Sequence, residues 1–339
     1  MGLRTNIDIQ RVYAPDVESC PGDRIKPIIS MYSDWEGQFQ ILEHWDGNNK
    51  PDYDPNIPLV IFHTEGDEKW IDIDYYSQYG TVLHCNVKTG KEKGKFFNYW
   101  LYDYRNRILD YKIQLNRQNT FAPKFLSFNG RPDWHRYYLI QKYYDLDMFK
   151  DGYISLLNRY GNFDKGTGIE EFRSVYPGNT DYMDDIIKNK KLLIIDRTSE
   201  QIHKDDRSHD PWVYEETSLS VVSETYNDAV RGLFFTEKSY KPIANCHFQI
   251  WIAQPGIVEY FRDGLGFDMF DDIIDHSYDK ILDDVSRVEA AISSIQKYID
   301  TIKTLSETKK IELQDRLQSN QKKFLNYRLT KEEINSWIN

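Results

Sequence analysis

Short apolar runs alternate with segments of helical periodicity, and this alternation occurs twice along the chain. The apolar runs of the first part predict buried strands at residues 26–31, 58–63 and 81–87. The segments between and after them predict helices at residues 36–43, 69–78 and 98–115. Because strands and helices alternate, the chain is expected to fold as an α/β protein with parallel sheets that are covered on both faces.

A polar stretch at residues 116–123 (NRQNTFAP) separates the two parts, and we take it as a domain boundary. After it, apolar runs predict strands at residues 124–128, 191–195, 218–223 and 247–253. Helices are predicted at residues 133–144, 237–245 and 256–262, whereas residues 161–189 are rich in loop-forming residues and give no defined element. The pattern predicts two consecutive doubly wound units, residues 1–120 and 121–278.

A helical tail follows at residues 279–339, and its apolar residues recur at heptad spacing. These are Ile281, Val285, Val288, Ile292, Ile295, Ile299 and Ile302. Such a stripe can drive the formation of a homodimer. The alternative is a helical hairpin that folds onto its own chain or across the two domains.

Composition limits where the protein can act. The 339 residues carry 43 Lys and Arg against 54 Asp and Glu, and the net charge of −11 argues against a protein that coats nucleic acid through bulk charge. No segment has the roughly 18 uncharged apolar residues of a membrane-spanning helix, and the first residues lack the apolar core of a signal peptide. The three cysteines have no metal-site spacing. We therefore expect a cytoplasmic protein without a membrane partner.

The densest chemical signal is residues 234–256 (FFTEKSYKPIANCHFQIWIAQPG), which follow a strand that leads to Glu224. Glu237 and Lys238 open a predicted helix. Helix N-termini at the carboxyl edge of an open α/β sheet bind phosphate, and Lys238 would add a positive charge to a diphosphate. Glu237 could accept hydrogen bonds from a sugar diol. Taken alone, Glu and Lys at a helix start are also just a favourable charge placement.

A second signal is residues 124–136 (KFLSFNGRPDWHR), which predict a strand, a tight turn and a helix. Asn129, Arg131, His135 and Arg136 lie near the turn, where a guanidinium can grip a phosphate with two hydrogen bonds. The Walker and dinucleotide fingerprints are both missing. The alternative is that His135 and Arg136 lie on a solvated helix face.

In these two motifs the chain resembles nucleotide-sugar glycosyltransferases of the GT-B type. Ser-Glu-Thr followed by Phe-Phe-Thr-Glu-Lys is similar to the donor-binding segment of the α1,3-fucosyltransferase family. The pair of motifs is closer to glycosyltransferase-like proteins of tailed phages and giant viruses. The α1,3-fucosyltransferases have Phe-Glu-Asn where this chain has Ser-Glu-Thr. The resemblance therefore does not determine which sugar is transferred.

The resemblance covers about residues 124–278 and implies roles for individual side chains. Arg131 or Arg136, together with Lys238, would hold the donor diphosphate, and Glu237 would contact the donor ribose. Glu224 would face the donor sugar or position the loop before the helix. The donor-binding set is thus Asn129, Arg131, Arg136, Glu224, Glu237 and Lys238.

The resemblance also implies two Rossmann-like domains that face a cleft, with a C-terminal helical extension. An inverting transfer then needs a general base from the N-terminal domain. Glu65 follows a predicted strand and is the first candidate, with Asp67 beside it. Asp34, after an earlier strand, is the competing candidate. For each of these carboxylates, a loop position without a catalytic role is the alternative.

We expect no metal and no cofactor other than the nucleotide sugar as co-substrate. Two Asp-x-Asp triplets, at residues 72–74 and 145–147, offer a metal-dependent alternative, but they fall in a predicted helix and at a helix end. The viral resemblance implies a hydroxymethylated pyrimidine in DNA as acceptor, within the host cytoplasm, and residues 99–117 would supply a local basic surface. Protein, lipid or polysaccharide acceptors, and a non-catalytic assembly protein, are the alternatives.

Overall fold

The computed structural model describes residues 7–11, 37–44, 55–56, 59–63, 77–78, 80–84, 86–87, 95–110, 112–157, 167–189, 191, 193, 211–229, 232–328, 330 and 332. The chain forms a mixed α/β protein that divides into two compact units. The first comprises Met1–Tyr111, Gly232–Phe235 and Asn326–Asn339, and the second comprises Lys112–Arg231 and Thr236–Leu325.

Strands and helices are numbered here in chain order. The strands are β1 (Ile7–Arg11), β2 (Gly37–His44), β3 (Leu59–His63), β4 (Thr81–His84), β5 (Asn86–Val87), β6 (Lys95–Phe96), β7 (Phe125–Asn129), β8 (Gly152–Leu156), β9 (Leu219–Ser223), β10 (Leu233–Phe234) and β11 (Phe248–Ile252). The helices are α1 (Tyr99–Asp110), α2 (Trp134–Asp145), α3 (Thr167–Val175), α4 (Asp181–Lys188), α5 (Pro211–Glu215), α6 (Glu237–Ala244), α7 (Ile257–Glu259), α8 (Asp284–Lys303) and α9 (Glu307–Asn326).

The first unit contains a parallel sheet whose described strands follow the order β1-β2-β3-β4-β6. A separate antiparallel pair joins β5 to β10. The strands predicted at residues 58–63 and 81–87 are confirmed as β3 and as β4 with β5, and the helix at 98–115 is confirmed as the shorter α1. The strand predicted at 26–31 lies outside the described residues, and so does the helix at 69–78 apart from a turn at 77–78.

The helix predicted at residues 36–43 is wrong, because this segment is the strand β2, which pairs in parallel with β1 and β3. Phe39 and Ile41 are two residues apart, which is the period of a strand. In a segment this short, the neighbouring apolar Leu42 makes the pattern fit a helix equally well. Pairing with the adjacent strands decides the outcome.

The second unit contains a parallel sheet with the order β8-β7-β9-β11. The chain therefore moves from β7 to β8 in one direction, and then returns to the other side of β7 to form β9 and β11. The strands predicted at 124–128, 218–223 and 247–253 are confirmed, as are the helices at 133–144 and 237–245. The helix predicted at 256–262 is confirmed as the short α7, which continues as a π-helical turn at Tyr260–Gly264. The sequence patterns did not predict β8, α3, α4 or α5. For the strand predicted at residues 191–195, the described residues show a single β-bridge between Leu193 and Leu156.

The two long C-terminal helices pack within the second unit. The apolar stripe of α8 is buried from Val288 to Ile302, and α8 packs against β11. The Tyr298 hydroxyl donates to Ser218 Oγ at 2.8 Å, and Gln321 Nε2 on α9 donates to the Asn116 carbonyl at 2.8 Å. The structure thus supports the hairpin that folds onto its own chain, and the stripe is not an open dimer surface. None of the helices in the described part of the chain is both long enough and apolar enough to span a bilayer.

Candidate functional site

The strands β7 and β9 separate before they reach the carboxyl edge of the second sheet. Their pairing ends at Ser127 and Val221, although both strands continue for two more residues, to Asn129 and Ser223. The strand order also reverses here, since β8 lies on one side of β7 and β9 on the other. In open α/β sheets, ligands bind outside the carboxyl ends of the strands at such a reversal.

Arg136 enters this separation from the first turn of α2. Its guanidinium donates to the carbonyl of Arg131 at 3.0 Å and to the carbonyls of Ser223 and Glu224 at 3.4 and 2.7 Å. Only 2% of the residue is exposed. The side chain therefore supplies the donors that β7 no longer offers to the end of β9. The solvated helix face that the sequence offered as an alternative for Arg136 is therefore wrong, because the side chain is buried and links the turn to the strand.

His135 lies beside Arg136 and is also buried, so the prediction of a solvated face is wrong for it too. Its Nε2 lies 3.3 Å from the Glu224 carbonyl. Burial lowers the pKa of the imidazole to about 4, so the ring is neutral at pH 7. A neutral ring protonated at Nε2 donates to this carbonyl and adds a second link between α2 and the end of β9.

The Glu224 carboxylate is fully buried and is bound by donors at the start of α6. It accepts from the Thr236 amide at 3.0 Å, the Thr236 hydroxyl at 2.9 Å and the Ser239 hydroxyl at 2.7 Å. The Thr225 amide adds a contact at 3.3 Å. A buried carboxylate is tolerated when donors surround it in this way. Of the two roles that the sequence leaves open, the geometry favours positioning of the loop and helix over contact with a sugar.

Lys238 stands between this network and solvent. Its ammonium lies 3.6 Å from the Glu224 carboxylate and 3.1 Å from the Thr225 hydroxyl, and 31% of the side chain is exposed. Desolvation lowers the pKa of Lys238, and the nearby Arg136 and Arg131 act in the same direction against Glu224 and Glu237. A cation that is held near other cations, and is partly stripped of water, is well suited to receive an anion.

Arg131 and Glu237 complete the accessible part of the edge. Arg131 is exposed and lies in the turn after β7, and Glu237 is the partly exposed first residue of α6. Within the described part of the chain, neither side chain has a hydrogen-bond partner. Asn129, in contrast, is buried and its amide nitrogen donates to the Ser155 carbonyl on β8 at 3.1 Å. The predicted donor-binding residues thus divide into an accessible group and a buried group.

The predicted general bases Glu65, Asp67 and Asp34 lie outside the described residues. The preceding strand β3 is described and ends at His63.

The predicted metal alternative finds no support where the structure describes it. Asp145 accepts hydrogen bonds from Gln141 and from Tyr176, and Asp147 pairs with Lys150. The triplet at residues 72–74 lies outside the described residues. Across the described ranges, no group of three or more His, Cys, Asp or Glu side chains is arranged to hold a metal ion.

The basic surface predicted at residues 99–117 is wrong for the helical part of that segment. Arg105 on α1 is 1% exposed, and Arg107 pairs with Asp103 at 2.8 Å. Exposed cations remain after the helix, at Lys112 and Arg117. Residues 101–106 of α1 are all buried, and this is incompatible with a nucleic-acid contact along that part of the helix.

Two buried residues of the edge had no role in the sequence prediction. They are Ser223, the last residue of β9, and Asn227, four residues further along. Ser223 precedes the predicted Glu224, so its place at a strand end was visible in the sequence. No pattern singled out Asn227.

Comparison of this chain with protein-family models, with curated proteins and with solved structures finds no match.

Proposed function

We propose that this protein is a GT-B-type glycosyltransferase that takes its sugar from a nucleotide-diphosphate donor. The observation that carries the proposal is the convergence of Arg131, Lys238 and Glu237 at the strand reversal of the second sheet. They come from two local elements, since Arg131 lies in the turn after β7 and both Glu237 and Lys238 lie in the first turn of α6. Only the fold brings them to one edge.

The chemistry of this group suits a nucleoside diphosphate. The cations of Arg131 and Lys238 can share the charge of the two phosphate groups, and the N-terminus of α6 adds its dipole. Glu237 can accept hydrogen bonds from the two hydroxyls of a ribose. The buried residues Arg136 and Glu224 then hold the two motifs in place without touching the ligand.

The acceptor in this proposal is a hydroxyl group. A hydroxymethylated pyrimidine in viral DNA stays a proposal that rests on the resemblance alone, because α1 does not present the expected basic surface. A protein, lipid or polysaccharide acceptor is consistent with the same donor site. Glu65 remains the proposed general base, and a metal ion is not required because Arg131 and Lys238 supply the positive charge.

Calorimetric titration with uridine and guanosine diphosphates and their sugars tests this proposal. Arg131→Ala is the sharpest variant, because its side chain bonds nothing in the described structure and the fold should survive. Loss of a hydrogen bond to a charged phosphate should weaken binding by about 10- to 150-fold. Lys238→Ala should act in the same direction.

The matched control is Lys188→Ala, which removes an exposed cation from the last turn of α4. It should leave affinity unchanged. Failure of the unmodified protein to bind any nucleotide of the panel, or equal affinity in the Arg131 variant, would remove the basis of the proposal.

A further inference from the structure

Buried polar atoms without a hydrogen-bond partner collect at the carboxyl edge of β7 and β9. In the described part of the second unit they include Asn129 Oδ1, Ser223 Oγ, and both Oδ1 and Nδ2 of Asn227. The three residues are 1%, 1% and 3% exposed. Away from this edge, the described part of the second unit shows such an atom at Gln249. The clustering therefore coincides with the candidate site.

Such atoms destabilise the folded protein, because they lose their hydrogen bonds to water and gain none in exchange. An unsatisfied buried polar group destabilises a protein by about 1–3 kcal/mol, and more than 90% of buried polar groups in native structures are paired. Departures from this rule are expected at functional sites, where a local cost is retained because it serves binding.

The orientation of the Asn129 amide is fixed by its neighbours. Its Nδ2 donates to the carbonyls of Ser127 and Ser155, at 3.4 and 3.1 Å. Carbonyl oxygens only accept, so the amide cannot be turned round, and Oδ1 is the atom left over. This leaves an acceptor, which needs a donor as its partner. An ionised phosphate, which only accepts, does not meet that need.

Ser223 and Asn227 also have buried, uncharged polar atoms without a hydrogen-bond partner. A hydroxyl and a carboxamide can each donate and accept, and neither carries charge. Their backbones are held by buried guanidinium groups, since Arg136 donates to the Ser223 carbonyl and Arg287 donates to the Asn227 carbonyl. The edge thus has a cationic part at Arg131 and Lys238, and a neutral part that matches the hydroxyl groups of a sugar.

We propose that Ser223 and Asn227 recognise hydroxyl groups of the transferred sugar, an inference that rests on the glycosyltransferase function proposed above. Because their polar atoms are covered in the free protein, binding is accompanied by a local shift of the side chains that cover them. That rearrangement exchanges unsatisfied atoms for hydrogen bonds to the ligand. The free protein is less stable than it would be with apolar side chains at these positions.

Ser223→Ala tests the inference against the control Ser220→Ala on the same strand. Ser220 is buried too, but its hydroxyl lies 3.1 Å from His247 Nδ1 and is therefore paired. Each variant is measured for the Tm of the free protein, and for the Kd of both a nucleotide sugar and the matching nucleoside diphosphate. Asn227→Ala, which keeps the carbonyl that Arg287 binds, is the second test variant.

Ser223→Ala should leave the Tm unchanged or raise it, and should weaken nucleotide-sugar binding by about 2- to 13-fold, the range for one neutral hydrogen bond. Binding of the nucleoside diphosphate should not change. Asn227→Ala should follow the same pattern, whereas Ser220→Ala should lower the Tm and leave both affinities alone.

Three results would overturn the inference without affecting the proposed diphosphate site. They are a lowered Tm in Ser223→Ala and Asn227→Ala, an unchanged affinity for the nucleotide sugar, and an equal loss of affinity for the nucleotide sugar and the nucleoside diphosphate. If the unmodified protein binds no nucleotide at all, the proposed function fails, and this inference fails with it.

Discussion

Two buried arginines close the carboxyl edge of the second sheet, and each does so by binding backbone carbonyls. Arg136 binds the end of β9, and Arg287 donates to the Ala253 carbonyl, just after β11, at 2.9 Å. Arg287 also donates to Ile281 at 2.8 Å. A guanidinium has five donors and no acceptor, so one such side chain can bind several carbonyls at strand ends at the same time. These residues explain why basic side chains near a candidate phosphate site are not all ligands.

Glu224→Gln should destabilise the protein, because the amide group that replaces one carboxylate oxygen cannot accept from the donors at that position. We expect a loss of about 2–4 kcal/mol in the free energy of unfolding, measured by urea denaturation. The control Glu259→Gln alters an exposed carboxylate and should change stability by less than about 0.5 kcal/mol. A similar small effect at both positions would show that the Glu224 network does not position α6.

The second unit is built from elements whose position follows from apolar packing. The stripe on α8 was visible in the sequence, but its partner was not, since a heptad pattern describes a dimer seam and a packed hairpin equally well. In the structure, the stripe packs against β11 of its own unit. Whether such a stripe forms a dimer seam or a packed hairpin depends on whether the rest of the chain leaves another apolar face uncovered for it to pack against.

Ile295→Ala should therefore cost about 2–5 kcal/mol, the range for removing a buried aliphatic side chain. Ile295 is fully buried, whereas Ile311 on α9 is 65% exposed and provides the matched control. Ile311→Ala should change the free energy of unfolding by less than about 0.5 kcal/mol. Equal effects in the two variants, or the dissociation of a dimer by Ile295→Ala alone, would contradict the packing described here.

Strands with continuous apolar runs could be predicted from the sequence, and half-buried or short elements could not. β8 begins at the partly exposed Gly152 and has no clear period. α4 places Met183, Ile186 and Ile187 at helical spacing, but the polar residues around them made the whole region look like loop.

In the candidate site, too, some residues could be placed from the sequence and others could not. The sequence placed Arg131 beside a strand and Lys238 at a helix start, and parallel topology brings both to one edge. The burial of Arg136 depends on the separation of β7 from β9, which no local pattern encodes.

At the scale of the whole molecule, the two units differ in how their sheets are ordered. The described strands of the first sheet follow one another in sequence from β1 to β6, with β5 outside the sheet, and show no reversal. The second sheet reverses between β7 and β9. Since ligands of open α/β sheets bind at reversals, the second unit is where nucleotide binding is expected.

Hydrogen–deuterium exchange with and without a saturating nucleotide sugar tests whether the donor binds at the carboxyl edge of the second sheet. We expect protection to be concentrated in peptides that cover residues 129–137 and 224–240, because these contain both motifs and the segment after β9. The exposed amino edge of the same sheet, around residues 145–152, should not change. Protection confined to that amino edge, or no protection of residues 129–137 and 224–240, would show that the donor does not bind at the carboxyl edge.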